Sequence, residues 1–236
     1  MNLADALKSL KEFFLEFLGY FLPGFTFIFL LGLVLADDIV DGIFQKRALL
    51  IVDNTYVLVF TSYLFGYVIY GADLSRKIVF NFISKQIPKQ SRQFKKLLGV
   101  KSRKDMETII SSSFEYETTK AIINNKFGNL EVDLGFSGYR NYAMSTISSD
   151  DIQKIYTFIF RGELCKHIGL IFFSVGLMCI LLAFCSFQIV KFTNLYILLY
   201  ICLMISGYFL QKTAERFTLI GLKIGFSIFL SNQYLK

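Results

Sequence analysis

Residues Ile168–Val190 form a run of 23 residues without a charged side chain, and beyond Lys191 a second uncharged run, Phe192–Gln211, adds 20 more. About 20 apolar residues, each rising ~1.5 Å along a helix, cross a hydrocarbon core of ~30 Å. A single segment does this only as a helix, because lipid offers no partner to backbone N–H and C=O groups. Together the runs read as a transmembrane hairpin, 168–211, joined at Lys191.

Two more uncharged runs lie upstream, Phe17–Ala36 and Asn54–Ala72. The chain is 54% hydrophobic and only 18% charged, against ~25% charged in an ordinary soluble domain. This composition is too apolar for one soluble core. The expected fold is an all-α membrane protein with four transmembrane helices and a mainly helical cytoplasmic insert between spans 2 and 3. Four parts follow: an interfacial N-terminal helix with spans 1 and 2 (1–72), a basic insert (73–167), the hairpin (168–211) and an amphipathic C-terminal segment (212–236).

Met1–Lys11 places Leu3, Ala6, Leu7 and Leu10 on one helical face, as an interfacial helix bending into the first span would. Pro23–Gly24 falls inside that span, where proline removes a backbone donor and crowds the preceding turn, so a kink is expected. In the second span, Ser62 and Gly66 form a small-residue stripe suited to close helix contact. Gly221 and Gly225 repeat that spacing in the C-terminal segment. All four are candidate contacts between copies in a homo-oligomer.

The insert holds 16 Lys and Arg against 10 Asp and Glu, and Lys85–Lys104 carries eight basic residues and no acidic one. They are Lys85, Lys89, Arg92, Lys95, Lys96, Lys101, Arg103 and Lys104. Basic loops stay on the cytoplasmic side, which puts the insert and both ends of this chain in the cytoplasm. The Asp37–Asp53 connection, with four Asp against Lys46 and Arg47, falls outside. Within the insert, Ser102 with Asp105 forms a capping-box pattern opening a helix through Ser111. A second helix covers Glu115–Lys126, stopped by Gly128. Asn129–Gly138 reads as a short strand or an irregular turn, and Ser149–Asp150 as a helix start. No proline interrupts Asp150–Val190, so one helix is expected to join insert and third span. An insert this small is expected to pack on its own membrane base or on copies of itself.

The sequence carries no phosphate-binding loop, zinc-protease or nucleophile-elbow motif. Its cysteines, Cys165, Cys179, Cys185 and Cys202, have no metal-ligand spacing and read as buried thiols. His167, the single histidine, sits at the expected membrane edge, as a polar interface residue or as a pH sensor. Neither catalysis, a metal nor a cofactor is expected. The basic run is the strongest functional signal. It fits anionic headgroups, at about 1 kcal/mol per basic residue, or an acidic protein partner. With only Phe94 inside it for base stacking, a nucleic acid or nucleotide signal is the less favoured partner.

Tyr20-Phe21-Leu22-Pro23-Gly24 in the first span and Gly66-Tyr67 in the second resemble a widespread class of small bacterial membrane proteins. These have four spans and a cytoplasmic insert, and several act in antiphage defence. The layout is similar to the membrane subunit of the Kiwa system and to transmembrane effectors of nucleotide-signalling systems. That resemblance implies a bacterial inner membrane as the location, and a membrane sensor and scaffold that holds a cytosolic effector. The alternative is a membrane-disrupting or pore-forming effector gated by a cytosolic signal. It carries over no functional residue.

Overall fold

A computed structural model describes residues 3–35, 54–86, 103–127, 134–185 and 189–234. Among them the fold is all helical, with seven helices: α1 Leu3–Val34, α2 Thr55–Gln86, α3 Arg103–Ser111, α4 Phe114–Lys126, α5 Gly135–Ser145, α6 Ser149–Phe184 and α7 Asn194–Tyr234. Three helical segments, Phe13–Val34, Ser149–Phe184 and Asn194–Tyr234, are long and apolar enough to cross a membrane. Among the described residues, Thr55–Gly71 of α2 is a shorter apolar helical stretch.

The chain divides into two compact units, Met1–Arg92 with Glu163–Thr213 and Gln93–Gly162 with Ala214–Lys236. In the first, α1 packs along α2. Leu30 and Val34 of α1 share a core with Ile171, Val175 and Cys179 of α6 and Tyr200 and Leu203 of α7. The uncharged run 168–190 does not become one helix. Its helix stops at Phe184, and Val190 pairs with Leu35 in an antiparallel bridge. The Lys191 N–H donates to the Val34 carbonyl at 2.9 Å, and the Tyr200 hydroxyl donates to the Lys191 carbonyl at 2.6 Å. These bonds hold Val190 and Lys191 against the end of α1.

The second unit is built on the C-terminal segment. Met106 and Ile110 of α3, Tyr116 and Ile123 of α4, and Tyr139 and Ala143 of α5 pack with Leu222, Phe226, Phe229 and Leu230 of α7 in one core. The insert thus finds its apolar partner in the chain's own last helix, which the sequence reading set apart as a separate segment. Phe226 stands edge-on to both Tyr116 and Phe136 at 5.4 and 5.6 Å between centroids, the T-shaped arrangement that aromatic quadrupoles favour.

Local signals explain the helix starts. Ser113 caps α4, its Oγ accepting from the Tyr116 N–H. Ser148, one residue before the expected start, caps α6: its Oγ accepts from the Asp151 N–H at 3.3 Å and donates to the Asp151 carboxylate at 2.8 Å, satisfying an orphan donor of the first turn. Residues 135–138 belong to helix α5, so the strand alternative does not hold there. Ser102, Gly128, residues 129–133 and the connection from 37 to 53 lie outside the described residues.

Candidate functional site

The tightest helix contact is the crossing of α1 and α2. A side-chain carbon on Gly24 would collide with the Ser62 carbonyl oxygen and lie 2.7 Å from the Gly66 nitrogen. One on Gly66 would collide with the Tyr20 carbonyl. Only glycine lets the two backbones approach this far, as small residues do where membrane helices pack. Ser62 is 0% exposed and Pro23 is fully buried, with α1 helical through both Pro23 and Gly24. The Tyr20 ring stacks on Tyr67 at 4.8 Å and lies 4.7 Å from Tyr70.

Ser62 and Gly66, expected between copies, therefore face α1 of the same chain. Pro23–Gly24 is the matching half of that contact. The residues that carry the resemblance, Tyr20–Gly24 and Gly66–Tyr67, are the ones that meet at this crossing. The other small-residue pair is also used within the chain. In the second unit a carbon on Gly221 would lie 2.8 Å from Ile159 of α6, and one on Gly225 would lie 3.2 Å from the Met144 sulfur of α5.

A seam of small residues also joins α6 and α7, and the sequence reading missed it. Gly162, Gly169 and Gly176 repeat every seven residues along α6, and Gly207, Ala214 and Gly221 do so along α7. In the first unit a carbon on Gly207 would lie 2.7 Å from the Gly169 carbonyl oxygen, and one on Gly176 would lie 2.7 Å from that of Tyr200. In the second unit one on Gly162 would lie 3.3 Å from the Ala214 carbonyl. A seven-residue repeat keeps one stripe of a helix facing one partner, and that period was the available signal.

His167 is not a solvated edge residue. It is 1% exposed, and its ring stacks on Tyr70 of α2 at 3.6 Å with a 20° tilt. Its Nδ1 lies 2.7 Å from the Glu163 carbonyl oxygen. A carbonyl only accepts, so Nδ1 carries the hydrogen. The Glu163 carboxylate, 3.9 Å from Nδ1, is also paired with Lys166 at 3.2 Å. The histidine thus ties α2 to α6 within the first unit.

Lys85 lies on α2, and Arg103 and Lys104 open α3; Lys89, Arg92, Lys95, Lys96 and Lys101 lie outside the described residues. Charge is used structurally in the second unit. Lys223 of α7 meets Glu115 of α4 at 3.0 Å. Burial alone would raise the Glu115 carboxyl. The Lys223 hydrogen bond and charge, its own backbone N–H and Ser113 outweigh this and hold it below its ordinary value. Lys120 and Lys126 lie over the rings of Tyr139 and Tyr142 at 5.6 and 5.8 Å, an attraction of ammonium for the ring face. Among the described residues, no group of three or more His, Cys, Asp and Glu could hold a metal ion.

No family model, curated protein or solved structure matches the chain.

Proposed function

We propose that this protein is a non-enzymatic, four-span scaffold of a bacterial inner membrane. Its insert and C-terminal helix form the cytoplasmic platform that docks an effector protein. The observation that carries this reading is the composition of α7. One helix gives its first part to the apolar unit and its last part, through Leu222, Phe226, Phe229 and Leu230, to the core of the polar insert. Membrane anchor and platform are thereby built on a shared element.

Two further features support the reading. The outer faces of the apolar helices are covered by exposed Phe13, Phe29, Phe60, Leu181, Leu195 and Phe209. In water such a surface would be an aggregation liability, whereas lipid solvates it. The α1–α2 crossing is closed by glycine against backbone, which suits a second helix that crosses beside the first. The basic run 85–104 supplies the charge for an acidic partner, and antiphage defence is the setting that the resemblance at Tyr20–Gly24 and Gly66–Tyr67 implies.

The test separates a scaffold from a pore. The purified chain alone, reconstituted in dye-filled liposomes, leaves the dye inside if it is a scaffold, and affinity purification from cells under phage challenge brings down a cytosolic protein. Dye release by the chain without a partner would replace the scaffold with a membrane-disrupting effector.

A further inference from the structure

Four tyrosines gather around the α1–α2 crossing. The Tyr20 ring of α1 stands edge-on to Tyr63 at 5.6 Å, stacks on Tyr67 at 4.8 Å and tilts against Tyr70 at 4.7 Å. Tyr63 and Tyr67 are 6.3 Å apart, and Phe17 stacks on Tyr63 at 5.7 Å. Ring packing alone does not call for the hydroxyls. Phe13, Phe17, Phe21, Phe25 and Phe29 stack in succession along α1 without them, and the chain uses Phe 27 times against 13 for Tyr. A phenol placed where an apolar ring would pack brings a polar end that seeks a partner.

A carboxylate joins the phenols. Glu16 lies one helical turn before Tyr20, on the same face of α1. Glu16 and the Tyr63 and Tyr67 hydroxyls are all near enough to the Tyr20 hydroxyl to act on it electrostatically. Glu16 is exposed and Tyr67 is 58% exposed, so the cluster opens outward. It also falls at the ends of two uncharged runs. Glu16 is the charge just before the run from Phe17, and Asp73 is the charge just after the run that contains Tyr63 and Tyr67. Tyrosine collects at that level of a bilayer, where headgroups begin.

These groups have the chemistry to hold a zwitterionic headgroup. Ring faces attract an ammonium, a carboxylate accepts charge-assisted hydrogen bonds from it, and phenol hydroxyls donate to phosphate oxygens. We infer that Glu16, Tyr20, Tyr63 and Tyr67 form a binding site for the headgroup of phosphatidylethanolamine. Its primary ammonium sits between the Glu16 carboxylate and the Tyr67 ring, and its phosphate takes the tyrosine hydroxyls. This rests on the reading that the unit spans a membrane. A primary ammonium donates hydrogen bonds to Glu16, whereas the trimethylammonium of phosphatidylcholine has none to give. Phosphatidylglycerol brings no cation and meets Glu16 as a like charge. The selectivity is thus opposite to that of the basic run 85–104, whose charge attracts anionic lipid.

The full chain, purified in detergent and stripped of lipid, is offered equal amounts of dioleoyl phosphatidylethanolamine, phosphatidylcholine and phosphatidylglycerol. Native mass spectrometry counts the lipids retained. The ethanolamine lipid is expected to be retained about fivefold or more over the other two. Glu16→Gln, which removes the charge and keeps the size, should lower that preference to about twofold or less. Tyr67→Leu, at an exposed position, should do the same by removing a ring and a hydroxyl, and it serves alone if Glu16→Gln loses helicity. Phe29→Leu, exposed farther along α1, should leave the preference unchanged. Equal retention of the three lipids, a preference for choline or glycerol lipid, or an unmoved preference in either folded site variant overturns the inference and leaves the spanning reading intact. A folded chain that retains none of the three overturns the spanning reading and this inference together.

Discussion

Gly66 of α2 lies so close to the Tyr20 carbonyl of α1 that no side-chain carbon fits between them. This contact brings Tyr20–Gly24 of α1 against Ser62 and Gly66 of α2. Adding a methyl there forces the backbones apart. Gly66→Ala is expected to cost about 1–3 kcal/mol, and Gly24→Ala the same, read as a fall in thermal midpoint in detergent. Gly71→Ala, with open space around its position, is the control and should change little.

The C-terminal helix is the core of the second unit, so the insert is expected to unfold when that core is hollowed. Phe226 is 0% exposed, and Phe226→Ala should cost about 3–5 kcal/mol. Hydrogen exchange on the full chain should show lost protection in α3, α4 and α5. Phe209→Ala, on an exposed face of the same helix, should leave those amides protected.

The Glu115–Lys223 pair gives the second unit an acid-sensitive contribution. The folded Glu115 value lies below the ordinary 4.5. The stabilisation is therefore present above the unfolded value and is lost as pH falls through the folded one. Lys223 is 45% exposed, so solvent screening limits the pair to about 1 kcal/mol at most. Glu115→Gln should lower stability at neutral pH and match the wild type once both are below the folded value, as measured by denaturant unfolding across pH.

If the basic run docks a specific partner, its arginines should matter more than its lysines. A guanidinium pairs in two places with carboxylate or phosphate, whereas lipid attraction is spread over the run and screened by salt. Arg92→Ala and Arg103→Ala are expected to impair phage protection and partner recovery far more than Lys89→Ala, at matched expression. Equal, mild losses in all three would reduce the run to lipid attraction.

The sequence made the helical character and the apolar runs legible because a long uncharged stretch has few alternatives. The continuous helix across 149–184 was also readable, since no proline or glycine cluster interrupts it. The helix end at Phe184 was not, because the bonds from Lys191 to Val34 and from Tyr200 to Lys191 are tertiary. Hydropathy alone continues the span to Val190. The role of 212–236 was hidden for a related reason. Its alternation of Lys212, Glu215, Arg216 and Lys223 with apolar residues marks a buried face but does not say what buries it. Ser62, Gly66, Gly221 and Gly225 were identified as close-contact positions by size. A small side chain does not tell whether the opposing helix belongs to the same chain.

The central claim is that α1 and α2 both cross the membrane, leaving the insert inside. It is tested most directly by single-cysteine labelling in intact cells, after Cys165, Cys179, Cys185 and Cys202 are replaced by serine. A membrane-impermeant maleimide should label Asp41→Cys from outside. It should label Ser112→Cys, at an exposed position between α3 and α4, only after the inner membrane is opened. Labelling of both from outside would mean that α2 does not cross, and labelling of Ser112→Cys alone would mean that the topology is inverted.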